Sequence, residues 1–381
     1  MNKTSILAYS DKKYSYPIHI CSDIKNLSDF TLYDKLYSSV VIFYDVNIEK
    51  ISPFKNTINF LNDYFSNVGT KIHLYPLQSG KHTKNVTTII EIVDWLLENK
   101  IQRDSIFVSL GGGVIGDMIG FLSSLYFRGV DLFHVPTNLL SMCDSSIGGK
   151  TAINTNQHVN TLGTYKHPVT TIMNLDFLNS LSKREFNAGF AEIIKISLLK
   201  DSDEYQEYFD GIVKCTNYSS SSDLFFILEK SINDKLYFTS NDISEKNKRL
   251  FLNFGHTFGH AIESVQKFSN KEYYRHGEAV SLGMVCATSL SDHIFGTNNL
   301  PYVKSLLKKF NLPICLPDSF LEFSGCKSKN NLLETMVELS MTDKKGKGSQ
   351  LRLILLKDIG DPFIYKINKK EPLLFAFNSI L

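Results

Sequence analysis

The stretch SIFVSLGGGVIGDMIG, residues 105–120, constrains the fold more than any other part of the chain. A short apolar run of strand character enters Gly111, Gly112 and Gly113, and by Gly116 the pattern has become helical. The alternation recurs across the first 180 residues. SSVVIFYD (38–45), KIHLYPL (71–77), DLFHVPT (131–137) and TIMNLD (171–176) read as further buried strands, and VTTIIEIVDWLLENK (86–100) has apolar residues at helical spacing. Strands alternating with helices specify a parallel, doubly wound sheet.

After SLSKRE (180–185) the pattern turns helical. Ser182 and Glu185 fit a capping box that starts a helix through residue 200, and more helices are expected at 223–240, 256–267, 277–292 and 301–309. NYSSSSD (217–223) reads as a surface loop. The chain is long for one core, at 381 residues, so two domains are expected, 1–180 and 181–381. A net charge of +2, from 41 basic and 39 acidic residues, gives no case for a nucleic-acid or membrane partner, and any basic site must be local. No run approaches the roughly 18 apolar residues of a membrane span. The N-terminus lacks an apolar core long enough for a signal peptide, and the six scattered cysteines include no CxxC pair. They read as reduced thiols of a cytoplasmic protein.

Four local signals carry chemistry. Glycines at a strand-to-helix turn let backbone amides approach a phosphate at a helix N-terminus. The spacing is not GxGxxG, and a plain tight turn would use the same glycines. LNFGHTFGHAIE (252–263) sets His256 and His260 four apart, on one helical face, and lacks the glutamate of HExxH because Thr257 stands there. His276 opens a later helix, and Glu192 lies in AGFAEIIK. One Glu and two His with an open position form a common catalytic zinc set, although ordinary buried or surface histidines fit the spacing as well. Asp144, Lys150, Lys235, Arg249, Asn253, Lys344 and Lys345 can converge on a small polyanion or be solvated surface groups. Lys195, three residues after Glu192, is either its ion-pair partner or a lysine that contacts substrate.

Together, GGGVIGD, RGVDLFHVPTNLLSMCDSSIGGKTAIN, AGFAEIIK, LNFGHTFGHAIE, HGEAV and MTDKK resemble, in order, the motifs of the 3-dehydroquinate synthases, the shikimate-pathway members of the sugar phosphate cyclases. The likeness spans about residues 40–360. It implies an α/β protein with an N-terminal Rossmann-like, dinucleotide-binding domain and an α-helical C-terminal domain that binds metal and substrate, usually as a homodimer. It implies NAD and zinc, with cobalt as a substitute. The implied reaction is cyclisation of 3-deoxy-D-arabino-heptulosonate 7-phosphate, a phosphorylated sugar acid, to 3-dehydroquinate with loss of phosphate. The hydride taken by the cofactor is returned, so there is no net redox change.

By that likeness, Glu192, His256 and His276 hold the metal, and His260 faces substrate. Lys235 and Arg249 bind the substrate carboxylate. Lys150, Asn160, Asn253 and Lys345 surround the phosphate and neighbouring hydroxyls. Lys195 and His260 orient reacting hydroxyls, Asp144 links the nicotinamide side to substrate, and Arg128 reaches into the partner's site. Asp45, Asn47, Lys84, Gly112, Gly113, Asp117, Thr137 and the segment from Phe177 to Ser180 match cofactor positions, and Lys150 borders the cofactor too. Three departures touch the cofactor. Val159 replaces a lysine, Lys81 replaces an acidic residue near the adenosine ribose, and Asn138 stands where a second threonine is usual. Three alternatives remain at this level. One is a sister cyclase acting on sedoheptulose 7-phosphate, glucose 6-phosphate or an amino analogue. Another is a metal-dependent polyol dehydrogenase on a related fold. The third is a paralogue that only binds ligand.

Overall fold

The computed structural model describes residues 3–9, 15–27, 35–66, 69–78, 80, 82–155, 158–200, 203–266, 272–342 and 350–381. The chain forms two compact units, Met1–Ser182 with Cys215–Ile243, and Lys183–Lys214 with Ser244–Leu381.

The first unit is built on a sheet of seven strands. In chain order it contains β1 (Lys3–Tyr9), β2 (Ser15–Cys21), β3 (Ser39–Asp45), α1 (Ser52–Ser66), β4 (Lys71–Leu77), α2 (Val86–Glu98), β5 (Ile106–Gly111), α3 (Gly113–Leu125), β6 (Asp131–Pro136), a short β7–β8 hairpin (Lys150–Ile153 and Leu162–Tyr165) and β9 (Thr170–Asn174). The strand order is β1-β2-β9-β6-β5-β3-β4, parallel except for the β1–β2 pair.

Every residue of β3 is buried, and its side chains alternate between two cores. Val40 and Ile42 join Val108, Phe133 and Ile172 beneath Phe54, Leu61 and Phe65 of α1. Val41 and Phe43 join Phe107 and Leu132 beneath Ile89, Ile92 and Leu96 of α2 and Ile115 and Met118 of α3. The continuous apolar runs in the sequence are the consequence of this double coverage.

KIHLYPL departs from the expectation of a buried strand. As β4 it is the edge of the sheet, hydrogen-bonded to β3 alone, and Leu74 is 46% exposed. An apolar run signals a strand without revealing whether it has one neighbour or two. The β1–β2 and β7–β8 hairpins have no counterpart in the sequence reading.

The second unit begins with α4 (Lys183–Lys200) and α5 (Asp203–Lys214). The chain then returns to the first unit through 217–223, where a single 3-10 turn precedes Ser221, whose side chain caps α6 (Ser222–Thr239) by accepting from the Leu224 amide. Resuming, the second unit contains α7 (His256–Gln266), α8 (His276–Phe295), α9 (Leu300–Lys309), α10 (Asp318–Ser324), α11 (Lys329–Thr342), a β10–β11 hairpin (Leu351–Asp358 and Asp361–Ile367) and α12 (Glu371–Asn378). α4 is buried without a break from Phe186 to Leu199. A helix enclosed on all sides has no amphipathic stripe, which explains its mixed pattern.

Among the described residues no helix is long and apolar enough to cross a membrane. No disulfide joins any of the six cysteines.

Candidate metal and dinucleotide sites

Glu192 lies at the centre of buried α4 and has no solvent exposure. Isolating a carboxylate this way is costly unless it is paired. One oxygen, Oε2, pairs with Lys195, which is 1% exposed and one turn along the same face. The other, Oε1, has no hydrogen-bond partner. It stands 3.6 Å from Nε2 of His256 and 3.6 Å from Nε2 of His276. Two ligands each about 2.1 Å from a shared ion at a tetrahedral angle stand roughly 3.4 Å apart. A buried carboxylate oxygen without a donor, facing two imidazole nitrogens at that spacing, fits a divalent cation.

Close backbone packing brings these three residues together. A Cβ on Gly277, next to His276, would lie 1.8 Å from the carbonyl oxygen of Ala188, one turn before Glu192. A Cβ on Gly283 would lie 1.9 Å from the carbonyl oxygen of Gly255, next to His256. α8 therefore touches both α4 and the turn before α7 with bare backbone. Glu278 fixes the start of α8. It accepts from the Arg275 amide at 2.8 Å and takes two bonds from Arg184, each 2.7 Å.

Protonation follows from the surroundings. Burial alone would raise the Glu192 carboxyl, but Lys195 and the two histidines outweigh it and hold it well below the usual carboxylate range. Burial, with Lys195 nearby, pushes His256 down to about 3, so its ring is neutral. At His276 burial is overcome by Glu263 and Glu192, which hold the ring up at about 10. A cation taking Nε2 of His276 would displace a proton.

Each imidazole has its Nδ1 against a protein oxygen, Phe254 O at 3.2 Å for His256 and Glu263 Oε2 at 3.1 Å for His276. His260 stands beside the three, its ring centroid 5.4 Å from that of His256 and 6.1 Å from that of His276. Glu263 was absent from the sequence reading, although its place seven residues after His256, on the same helical face, was visible there. Arg249, 3% exposed, and Asn253 lie on a short 3-10 helix, Lys248–Asn253, just before α7. Asn253 donates to Glu245 at 2.8 Å. Lys344 and Lys345 lie outside the described residues.

In the first unit, the positions read as cofactor contacts gather at the C-terminal ends of parallel strands. The strand order reverses between β3 and β5, the switch point where doubly wound sheets bind ligands. Asp45 ends β3 and accepts from the Asn47 amide at 2.9 Å. Gly111 ends β5, and Gly112 caps α3. Thr137, just past β6, donates its amide to Gly111 O at 3.1 Å. The segment from Phe177 to Ser180 lies in the turn after β9, with the Phe177 ring in the core rather than at the surface.

Asn138 leans over the glycine turn. A Cβ on Gly112 would lie 2.5 Å from its Nδ2, and its Oδ1 accepts from the Ser141 amide at 2.9 Å. Lys84, 6% exposed, bonds Asp117 and Asn160, each at 2.5 Å. Burial raises the Asp117 carboxyl, and Lys84 offsets only part of that. Lys235 on α6 pairs with Asp144 at 2.7 Å and also bonds its carbonyl oxygen. Lys150 opens β7 on the surface, and Val159 is 45% exposed. Lys81 lies outside the described residues. Arg128 is exposed, at φ +65°, in a turn where Phe127 (+46°) and Gly129 (+125°) are also left-handed.

The fold is shared with solved NAD-binding synthases. The chain superposes on a 2-deoxy-scyllo-inosose synthase solved with carbaglucose-6-phosphate, NAD+ and Co2+ at a TM-score of 0.81, with 22% identity, covering 99% of this chain and 100% of the other. It superposes on the 2-epi-5-epi-valiolone synthase of Streptomyces hygroscopicus subsp. jinggangensis 5008, solved with NAD+ and Zn2+, at 0.79, with 23% identity and 97% and 98% coverage.

The sequence is more specific than the fold. Residues 74–188 match the family model for the 3-dehydroquinate synthase N-terminal domain, and residues 189–346 match that for the C-terminal domain. The chain is 35% identical over 370 residues to the 3-dehydroquinate synthase of Prochlorococcus marinus (strain MIT 9312), covering 96% of each. It belongs to the 3-dehydroquinate synthase family, whose members are carbon–oxygen lyases.

Proposed function

We propose that this chain converts 3-deoxy-D-arabino-heptulosonate 7-phosphate to 3-dehydroquinate with loss of phosphate, using NAD and a divalent metal, zinc or in its place cobalt. The observation that carries this reading is the buried Oε1 of Glu192, without a donor and 3.6 Å from two imidazole nitrogens. When bound, the ion supplies Lewis acidity to a substrate hydroxyl and the nicotinamide accepts and returns one hydride.

Glu192, His256 and His276 hold the ion. Lys195, neutralised by Glu192, and His260 orient the reacting hydroxyls and carry protons. Lys235 and Arg249 take the carboxylate, and both are almost fully buried, where a charge-assisted contact is strongest. Asp144 holds Lys235 in place and links it to the nicotinamide side. Lys150, Asn160, Asn253 and Lys345 surround the phosphate and its neighbouring hydroxyls. Asp45, Asn47, Gly112, Gly113, Asp117, Thr137, Asn138, Lys84, Lys81 and the segment from Phe177 to Ser180 serve the dinucleotide. The main functional division falls at 180/181, with a dinucleotide domain before it and a metal and substrate domain after it, except that residues 215–243, which carry Lys235, return to the first unit.

Val159 and Lys81 weaken the hold on NAD and relax discrimination against NADP, because a lysine near the ribose does not repel a 2′-phosphate. Titration of both dinucleotides into cofactor-stripped protein tests this, and tight NAD binding with no NADP binding, unaltered by Lys81→Glu, defeats it. The protein works as a cytoplasmic homodimer in which Arg128 enters the partner's site. Left-handed non-glycine residues cost about 1–3 kcal/mol each and persist where function needs them, and the turn presents Arg128 beside Phe127 and Leu125, which are 41% and 51% exposed.

The deciding experiment measures phosphate release from 3-deoxy-D-arabino-heptulosonate 7-phosphate. Release should require both NAD and metal and leave no net NADH. Steady NADH production from a polyol would identify a dehydrogenase instead. Turnover of sedoheptulose 7-phosphate alone would identify a sister cyclase.

A further inference from the structure

We infer that Glu263 is a positioning residue for the metal: its carboxylate on α7 accepts the Nδ1–H of His276 and fixes that ring so that Nε2 faces Glu192 and the ion. The inference rests on the metal reading of Glu192, His256 and His276.

The two imidazoles are used alike. Each gives Nδ1 to a protein oxygen and points Nε2 at the same carboxylate oxygen of Glu192. Their supports differ. His256 is held by the carbonyl of Phe254, two residues away in its own chain, and its side chain is 13% exposed. His276 is the first residue of α8, its side chain is 29% exposed, and its Nδ1 partner comes from another helix. Both histidines open their helices, and the more exposed of the two rings depends on a side chain for its orientation. Glu263, itself 15% exposed, is placed for this by helical spacing, with His256, His260 and Glu263 along one face of α7. A carboxylate behind a ligating imidazole sets its tautomer and strengthens it as a donor, and loss of such a partner typically lowers metal affinity about 10–100-fold.

His260, Glu263 and His276 also lie close enough to form a cation-binding group of their own. The 3.1 Å contact from Glu263 to Nδ1 favours the orienting role, because a ring nitrogen bonded to the carboxylate through hydrogen has no lone pair for a second ion.

The test uses the full chain, stripped of metal, with Zn2+ or Co2+ titrated against a chromogenic chelator. Glu263→Ala should bind one ion per chain about 10–100-fold more weakly than the parent and shift the visible Co2+ bands. Glu263→Gln, which keeps an acceptor oxygen but loses the charge, should fall between the two. It also carries the test if the alanine variant does not fold. A merely structural role would lower the melting temperature of the stripped protein and leave metal affinity and Co2+ bands alone. The inference is overturned if both variants bind as the parent does while His256→Ala loses binding. Two ions bound by the parent and one by Glu263→Ala would also overturn it, making Glu263 a ligand. A parent that binds no ion, or His256→Ala binding undiminished, would instead sink the metal reading on which it rests.

Discussion

Gly277→Ala should damage metal binding without touching a ligand. The added Cβ would lie 1.8 Å from the carbonyl oxygen of Ala188, and real Cβ contacts essentially never fall below 3.0 Å, so α4 and α8 must separate by at least 3.0 − 1.8 = 1.2 Å at that point. The atom in the way is backbone, so no rotamer change relieves it. Metal sites tolerate about 0.2 Å in ligand distance, and a 1.2 Å shift is several times larger. His276 adjoins Gly277, and Glu192 lies one turn beyond Ala188, so the movement falls between two ligands. Structural zinc sites with four ligands bind with about 10–16 kcal/mol, or roughly 2.5–4 kcal/mol per ligand, so losing His276 should weaken binding about 100- to 1000-fold. Overpacking adds about 1–3 kcal/mol of destabilisation that does not depend on metal. Zinc competition with a chromogenic chelator measures the first effect, and thermal unfolding of the stripped protein measures the second. If Gly277→Ala binds zinc as tightly as the parent, backbone contact between these helices does not set the ligand geometry and the reasoning fails.

Arg249→Ala should raise KM for the carboxylated substrate at least about 30-fold, since losing one partner of a buried charge pair costs about 2–5 kcal/mol; an unchanged kcat/KM would remove Arg249 from the carboxylate site. His134, bonded to Ser109 at 2.6 Å, is pushed down to about 4 by burial against an unfolded value of about 6.5. The unfolded state therefore binds more protons between those values, and stability is full above pH 6.5 and declines as pH falls towards 4, by about 3 kcal/mol in all. His134→Gln should flatten that part of the melting-temperature profile, and identical profiles would exclude His134 as its source. Mixing inactive Arg128→Ala with inactive His256→Ala should restore about a quarter of parental activity if Arg128 acts across a two-fold dimer, because half the dimers would be mixed and each would hold one complete site. No recovery after subunit exchange would place Arg128 in its own subunit's site or outside catalysis.

The sequence by itself determined the elements whose signals are local. SSVVIFYD and SIFVSL are continuous apolar runs because both faces of β3 and β5 are covered, and burial of that kind is written into every residue of the strand. The glycine turn, the helices α7 and α8 and the change from alternating to helical pattern near residue 180 were legible for the same reason. Motif order along the chain supplied the candidate residues, including Glu192, His256 and His276.

Tertiary structure decided whatever depends on neighbours far along the chain. KIHLYPL reads like an inner strand and lies at the sheet edge, because an apolar run does not record how many strands flank it. α6 follows two helices of the second unit in sequence and packs with the first. Spacing put His256 and His260 on one face as equals. Only the packing of α8 against α4 and α7, through Gly277 and Gly283, brought His276 to within 3.6 Å of Glu192 while Glu263 took its other nitrogen. Periodicity reports which side of a helix a residue occupies. The point where three helices meet is set by backbone contacts between residues 28 and 89 positions apart, Gly283 with Gly255 and Gly277 with Ala188, and no local pattern encodes it.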